Sequence, residues 1–175
     1  MQIRITFYIQ GQTCSGNIDL HDEERLLDFL NSRSDTSPED NDGFLRISEM
    51  TMTLIDKSKD RIPEASIKKS AIKLLAIQEE DLARGLGAKP GPKSYPFVEK
   101  SPIPVKLHLQ DCSIIGNMHC IASQDAYDLL EEPLSFIPIT QARILTPDLS
   151  SWWKAPFVAV NRNQITIFSK EGLQS

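Results

Sequence analysis

The sequence predicts a mainly β protein with short helices (α+β), built as two tandem small domains with bent, barrel-like sheets. Three observations predict this fold. Apolar and polar residues alternate over residues 3–10, the pattern of a strand with one buried face. The chain from residue 105 onward repeats the apolar character, order and spacing of residues 1–77. Between the two stretches lies a segment that carries several Pro and Gly residues.

The internal repeat appears when the sequence is shifted by 100 residues. Gly16-Asn17-Ile18 then aligns with Gly116-Asn117-Met118. The offset falls to 92 for residues 44–48 and to 93 for residues 67–74, because the second copy lacks the polar loop 34–43. We therefore divide the chain into a first repeat (1–77), a linker (78–104) and a second repeat (105–175), related by pseudo-two-fold symmetry.

Each repeat opens with a strand, at residues 3–10 and 105–110, and a second strand follows through Gly16 or Gly116. A glycine at that point of a strand indicates a bulge or a close backbone approach. A short helix comes next, over residues 22–31 in the first copy. In the second copy Ser123 is the expected N-cap and Pro133 ends the helix.

A long strand follows in each repeat, and its buried face changes along its length. Apolar residues fall on odd numbers at Leu45 and Ile47 and then on even numbers at Met50 and Met52. This change of parity predicts a bulge or bend near residues 48–49, and the second copy predicts another near 140–141. The last element is a hairpin-like segment, at residues 67–75 and 157–168, which turns at 68–70 and 161–163.

The linker and the size of the repeats suggest one compact body. A core of about 70 residues supplies only ~3–5 kcal/mol, so we expect the copies to pack face to face. The linker then runs along the surface as a strap, anchored by Tyr95, Phe97 and Val98.

Two resemblances follow from these elements. The segments 136–140 (FIPIT) and 157–162 (FVAVNR) resemble an uncharacterised bacterial family of small β-rich domains, which has no established activity to carry over. More distantly, residues 160–165 (VNRNQI) are similar to a motif of Sm-like barrels, from which the first copy departs at Lys68-Lys69-Ser70. The Sm-like resemblance implies a nucleic-acid or anion-binding module.

Composition and charge narrow the class of protein. Apolar residues make up 40% and charged residues 25%, and the net charge of −5 argues against a general nucleic-acid surface. No apolar stretch approaches the ~20 residues that cross a bilayer. An odd number of cysteines, three, without paired spacing predicts free thiols and a cytoplasmic location.

The sequence offers no catalytic, metal-binding or cofactor-binding motif. The candidate metal ligands are His21, His108, His119, Cys14, Cys112 and Cys120. None of them has the paired spacing of a zinc site, and none aligns with a His or Cys in the other copy. A Gly-x-Ser-x-Gly elbow and a Gly-rich phosphate loop are also missing from the sequence. We therefore expect no cofactor and no metal.

Two polar or aromatic features are candidate contact sites. Lys68, Lys69 and Arg162 lie in the predicted turns, where they are candidates for contact with an anion or a nucleic acid, or are simply solvated turn residues. Trp152 and Trp153 mark a partner contact, or they seal the interface between the copies.

Three functions follow from these features. The favoured one is a non-enzymatic scaffold or interaction protein built as a pseudo-dimer, whose partner is another protein or a second copy of itself. The second is a nucleic-acid or anion-binding module working through Lys68, Lys69 and Arg162. The third is an enzyme with a cleft between the repeats, for which the sequence supplies no convergent polar groups.

Overall fold

The structure is a computed structural model that describes residues 1–21, 25–32, 43–54, 56–79, 98–149 and 151–171. The predicted strap residues Tyr95 and Phe97 lie outside the described residues, and so does the predicted start of the first helix. Val98 is described and is 55% exposed. Within the described ranges, no helix has the length and apolar character to cross a membrane.

The described residues form ten strands and two short helices. The first half contains β1 (Gln2–Ile9), β2 (Gln12–Asp19), α1 (Leu26–Asn31), β3 (Phe44–Thr53), β4 (Lys59–Lys68) and β5 (Ile72–Ile77). The second half contains β6 (Ser101–Leu109), β7 (Ser113–Cys120), α2 (Ala126–Glu131), β8 (Phe136–Leu145), β9 (Trp153–Asn161) and β10 (Ile165–Lys170). The prediction of a mainly β protein with short helices is confirmed.

All ten strands belong to one antiparallel sheet, in the order β10-β6-β7-β8-β9-β5-β1-β2-β3-β4. The two halves meet where β5 pairs with β9, so unlike strands of the two halves are joined edge to edge. The expected face-to-face packing is therefore wrong. The β5·β9 hydrogen bonds continue the ladder across the junction and satisfy the backbone groups of both strands.

The strand pairings are set out in the same way in each half. Ile5 pairs with Gly16 in β1·β2, and Val105 pairs with Gly116 in β6·β7. The other ladders correspond at the offsets of 92, 93 and 100 residues, including a register shift at the same place in β1·β5 and in β6·β10. Each half thus places its last strand beside its first, which leaves its fourth strand at the far end.

The predicted change of buried face in the long strands is confirmed. In β3, Glu49 has a φ of 49°, and Gln141 in β8 has a φ of 50°. The bulge lies in the β2·β3 ladder. Between the pairs Ser15↔Thr51 and Asn17↔Ser48, Glu49 and Met50 lie opposite the single residue Gly16. The extra residue moves the following side chains of β3 to the other face of the sheet.

The glycines that we singled out lie where the bulged strands approach most closely, as predicted. A Cβ atom on Gly116 would stand 2.5 Å from Ile139 Cγ2 and 2.9 Å from the Thr140 carbonyl oxygen. A Cβ on Gly16 would stand 2.2 Å from Ile47 Cγ2. These positions require glycine because the neighbouring strand occupies the space of a side chain.

The predicted hairpin-like element is wrong in its pairing. A 3₁₀ turn at Lys69–Ala71 follows β4, and another at Arg162–Gln164 follows β9, close to the predicted turns. The strands on either side of each turn do not pair with each other: β4 pairs with β3, whereas β5 pairs with β1 and β9. Each tight turn therefore connects the two strands that stand at opposite ends of the strand order of a half, β4 with β5 and β9 with β10.

The cap of the second helix also differs from the prediction. The N-cap of α2 is Asp125, whereas Ser123 lies in the preceding turn. The Asp125 carboxylate accepts a hydrogen bond from the Tyr127 amide, and its own amide donates to the Asp128 carboxylate at 2.7 Å. This reciprocal pair satisfies two amide donors at the start of the helix. Ser123 lies two residues before the N-cap and does not form such a pair.

Two hydrophobic cores lie on opposite faces of the junction. Leu75 and Phe157 contribute to the core of the first half, whereas Leu74 and Val158 contribute to the core of the second half. Successive side chains of a strand point to opposite faces. The junction strands are therefore buried on both faces, and each half depends on the other to complete its core.

Candidate functional site

Two of the three basic residues predicted to contact an anion, Lys69 and Arg162, bond the ends of the helices. The Lys69 ammonium donates to the carbonyl oxygen of Phe29, at 3.0 Å, and lies over its ring. The Arg162 guanidinium donates to the carbonyls of Leu130, at 3.2 Å, and Glu132. A cation at a helix C-terminus satisfies carbonyls that have no partner within the helix.

The two 3₁₀ turns that carry these residues lie against each other across the junction. The Asn161 side chain donates to the carbonyl oxygens of Ser70, at 3.3 Å, and Ile72, at 2.9 Å. Gln164 also reaches the Ser70 carbonyl, at 3.4 Å. Lys68 precedes the first turn, and its side chain is exposed at the end of β4. The structure thus brings together the turns, while the Lys69 and Arg162 side chains point to different helices.

The adjacent tryptophans divide between core and surface. Trp153 packs against the core of the second half, and its indole nitrogen is buried without a hydrogen bond to any described residue. Trp152 is 37% exposed and lies beneath the Arg143 guanidinium, 5.5 Å from the ring centroid. Trp152 is therefore the member of the pair that is available to a partner.

Two asparagines that the sequence did not single out connect the halves. Asn31, at the end of α1, donates to the Phe136 carbonyl at 3.0 Å and accepts from the Phe136 amide at 2.8 Å. Asn161 is 3% exposed and bonds the first half as described above. An asparagine side chain carries one acceptor and two donors, which suits it to pair with a backbone amide. No sequence motif marks this use.

A second polar contact between the halves is built around Asp111. Its carboxylate accepts a hydrogen bond from the Tyr8 hydroxyl at 2.9 Å and pairs with the Lys73 ammonium at 2.6 Å. Tyr8 is fully buried, and burial together with the bond to Asp111 raises the pKa of its hydroxyl. Tyr8 is therefore a neutral hydrogen-bond donor at ordinary pH and is not poised to act as a base.

The three thiols are buried, whereas His108 and His119 are partly exposed and His21 is exposed. Burial raises the pKa of the Cys14 thiol to about 11 and that of the Cys112 thiol to about 12. Burial also lowers the pKa of His119, whose Nε2 lies 2.6 Å from the Thr140 hydroxyl. A thiol with a raised pKa is a poor nucleophile. In the described part of the chain, no three His, Cys, Asp or Glu side chains form a group able to hold a metal ion.

Two open depressions lie at corresponding places in the halves, each beside a bulge. The first has a volume of about 430 Å³ and is lined by Arg4, Glu49, Met50, Thr51, Arg61, Ile62 and Pro63. The second has a volume of about 500 Å³ and is lined by Gln78, Gln141, Ala142, Arg143, Lys154, Ala155 and Pro156. Among the described residues, only the second is lined by a residue of the other half, Gln78, which follows β5.

The outermost strands of the sheet present free edges. No described strand pairs with the outer edge of β4 or of β10. Ile167 on β10 is 59% exposed, and Glu64 and Ser66 on β4 are exposed. An unpaired strand edge offers a row of amide and carbonyl groups to another strand.

Comparisons of this chain with protein-family models, with curated proteins and with solved structures find no match. The buried polar groups described above join the two halves. The exposed features described above are the two depressions, Trp152 and the outer edges of β4 and β10. Such an arrangement can bind another molecule, and the described residues place no activated nucleophile or acid–base pair beside either depression.

Proposed function

We propose that this protein is a non-enzymatic scaffold or interaction protein, built from two tandem copies of one β-rich unit that are joined as subunits of a dimer are joined. The observation that carries the proposal is that no strand in the described part of the chain pairs with the outer edge of β4 or of β10, the two ends of the sheet. Strand edges bind other proteins by adding a strand.

The proposal of two copies is supported by the strand pairings of each half. The β2·β3 ladder pairs Cys14 with Met52, and the β7·β8 ladder pairs Ile114 with Ile144. Such agreement in register extends to every ladder within a half, and it includes the bulges with positive φ. In an exactly two-fold pair of halves, β4 would pair with β10 just as β9 pairs with β5. The described β4 and β10 lie at opposite ends of the strand order and do not pair, so the halves are joined head to tail.

The polar groups at the junction support a non-enzymatic role. The side chains of Asn161 and Asn31 form hydrogen bonds with the backbone of the opposite half, and the Asp111 carboxylate forms an ion pair with Lys73. Polar groups that are paired in this way stabilise the junction and are not available for catalysis. The three buried, free cysteines support a reducing compartment, and we propose the cytoplasm.

The proposal is tested by photo-cross-linking in the cells that make the protein. The photoreactive amino acid p-benzoylphenylalanine replaces Ile167 at the β10 edge. In a matched control it replaces Leu149, which is exposed in the loop between β8 and β9, in the middle of the strand order. We expect discrete protein adducts from the Ile167 position and few from the Leu149 position. Equal labelling at both positions, or no protein adduct at the edge, contradicts the proposal.

Binding of an anion or a nucleic acid is the second candidate, and one observation favours it. Each depression carries two basic side chains, Arg4 and Arg61 in the first and Arg143 and Lys154 in the second. Binding of a labelled single-stranded oligonucleotide at low salt tests this function. This function requires that the affinity for the oligonucleotide decreases as the salt concentration rises. The affinity must also decrease in the Arg61→Gln or Lys154→Gln variant. The Lys69→Ala variant is expected to destabilise the fold instead, because Lys69 holds the end of α1.

A further inference from the structure

We infer that the free edge of β4 pairs with the free edge of β10 of a second copy of this chain, in the antiparallel register that joins β5 to β9. The inference rests on the proposed function and names the partner. It assigns to the outer edges the same contact that the chain already makes once at its centre.

Corresponding side chains of β5 and β10 differ in burial, and this difference indicates that β10 lacks the neighbouring strand that β5 has. Leu74 in β5 is fully buried, because it packs against the core of the second half across the junction. Ile167 occupies the corresponding place in β10, at the offset of 93 residues, and is 59% exposed. A large apolar side chain at a free edge marks an interaction site. The core of a neighbouring copy would cover Ile167 as the second half covers Leu74.

The register of the proposed contact follows from the observed junction. In β5·β9, Leu74 pairs with Val160 and Ile77 pairs with Phe157. The same offset of 93 gives these pairs between two chains: Ile167 with Ile67, Phe168 with Ser66, Ser169 with Ala65, and Lys170 with Glu64. These pairs are apolar with apolar, aromatic with small, small with small, and positive with negative. Cross-strand pairs of these kinds stabilise a sheet.

The charged pair is compatible with the contacts that Lys170 makes already. Its ammonium bonds the Asp125 carboxylate and lies over the Tyr127 ring. An ammonium has three donors, so it can serve a second carboxylate. Glu64 is exposed on β4 and makes no described ion pair.

The first depression is completed by the proposed contact. In the second depression Gln78 of the first half shares the lining with Lys154. At the offset of 93, Gln78 corresponds to Glu171 and Lys154 corresponds to Arg61. A neighbouring copy would therefore bring Glu171 to the depression that contains Arg61, which adds a second pair of opposite charges.

The proline and charges of β4 do not prevent this pairing. Pro63 lacks an amide donor, and charged residues often protect strand edges. The corresponding Pro156 lies in β9, where the strand pairs with β5 through the next residues, from Phe157 to Val160. The residues of β4 proposed to pair, 64–67, contain no proline.

The contact joins unlike surfaces, so its symmetry is distinct from that of an ordinary dimer. A heterologous contact repeats from copy to copy and gives either a closed ring or an open series. A two-fold dimer that pairs like edges, β4 with β4 or β10 with β10, is excluded by the proposed register.

The first experiment measures assembly of the whole chain by native mass spectrometry and by light scattering during size-exclusion chromatography. We expect masses of three or more copies, or a series that grows with concentration. The Ile167→Lys variant should weaken assembly by about tenfold or more, because it places a charge at the apolar centre of the contact. Leu149→Lys changes an exposed apolar residue in the loop between β8 and β9, in the middle of the strand order, and should assemble like the parent. A monomer overturns the inference, and so does a dimer that the Ala65→Cys and Ser169→Cys pair described next fails to cross-link.

The second experiment tests the register by disulfide formation under mild oxidation. Ala65→Cys combined with Ser169→Cys should link chains into a ladder on a non-reducing gel, since these residues are directly opposite in the proposed pairing. Ser66→Cys combined with Ser169→Cys is the matched control, because Ser66 points to the other face of β4 and should link poorly. The native cysteines are all buried, which keeps the background low. Equal linking in both variants overturns the register.

The inference and the proposed function fail separately. A chain that remains monomeric, yet forms adducts with a different protein from position Ile167, refutes self-assembly and leaves the scaffold in place. A chain that assembles in the predicted register supports both. A monomer without protein adducts at the edge removes both.

Discussion

The glycines at the bulges allow a worked test of how closely the strands approach. Replacing Gly116 by alanine adds a single Cβ atom, 2.5 Å from Ile139 Cγ2, 2.9 Å from the Thr140 carbonyl oxygen and 3.2 Å from the Ala142 Cα. Two of these neighbours are backbone atoms that cannot rotate away. The strands must therefore separate locally, or the bulge must shift.

The expected cost follows from overpacking. Atoms added to a well-packed core lower the free energy of unfolding by ~1–3 kcal/mol. Alanine also lowers the conformational entropy of the unfolded chain, which offsets about 0.4–1 kcal/mol of that loss. Because Gly116 faces backbone on two sides, we expect the upper part of the first range. The net loss in the free energy of unfolding should be about 2 kcal/mol.

Gly16 supplies the matched comparison. Its added Cβ would stand 2.2 Å from Ile47 Cγ2, but the backbone atoms of Ser48 and Met50 are farther away, at 3.2 and 3.4 Å. The clash is thus mainly with a branched side chain. Ile47→Leu removes the methyl group at that point and should restore part of the stability lost in Gly16→Ala. The corresponding Ile139→Leu should restore less in Gly116→Ala.

Urea unfolding measures these differences, and the two double-mutant cycles isolate the coupling between each glycine and its neighbour. Tryptophan fluorescence follows the second half, which contains both tryptophans, and circular dichroism follows the whole sheet. A Gly116→Ala variant as stable as the parent would refute the close approach. A rescue in the second half equal to that in the first would refute the role of the backbone contacts.

Three further predictions concern the junction and the buried thiols. Asn161→Ala removes two hydrogen bonds to the other half and should lower the free energy of unfolding by about 1–3 kcal/mol in urea titrations. Asn31→Ala removes both bonds to the Phe136 backbone and should lower the melting temperature in calorimetry; an unchanged value would contradict the contact. The raised thiol pKa values of Cys14 and Cys112, about 11 and 12, mean that the unfolded chain loses these protons first, from about pH 9. Stability should therefore fall as pH rises from 9 to about 12, and the double Ala variant should flatten that fall in unfolding curves measured across the range.

Local features of the sheet were predictable from the sequence because they leave local patterns. The alternation of residues 3–10 gives β1, and the change of parity from Ile47 to Met50 gives the bulge at Glu49. Gly16 marks the place where the bulged strand crosses close to its neighbour. Each of these signals depends on residues a few positions apart in the chain.

The junction was not predictable because both of its strands lose the usual alternation. Residues 72–77 are buried on both faces, so the run Ile-Lys-Leu-Leu-Ala-Ile carries no period that identifies a partner strand. Most of β4 was missed, since Pro63 and the surrounding charges are typical of a loop or an edge strand. Asn31 and Asn161 act on backbone groups about 90 to 105 residues away, and no local pattern records this.

Amide hydrogen exchange across β5 and β9 tests most directly whether two halves share one continuous sheet. If they do, the amides that bond Leu75 to Ala159 and their neighbours should exchange only when the whole chain unfolds, as slowly as the best-protected amides of β1 and β8. Exchange in β5 or β9 as fast as at the free edges of β4 and β10 would show that the halves separate by local opening, and it would contradict the head-to-tail junction.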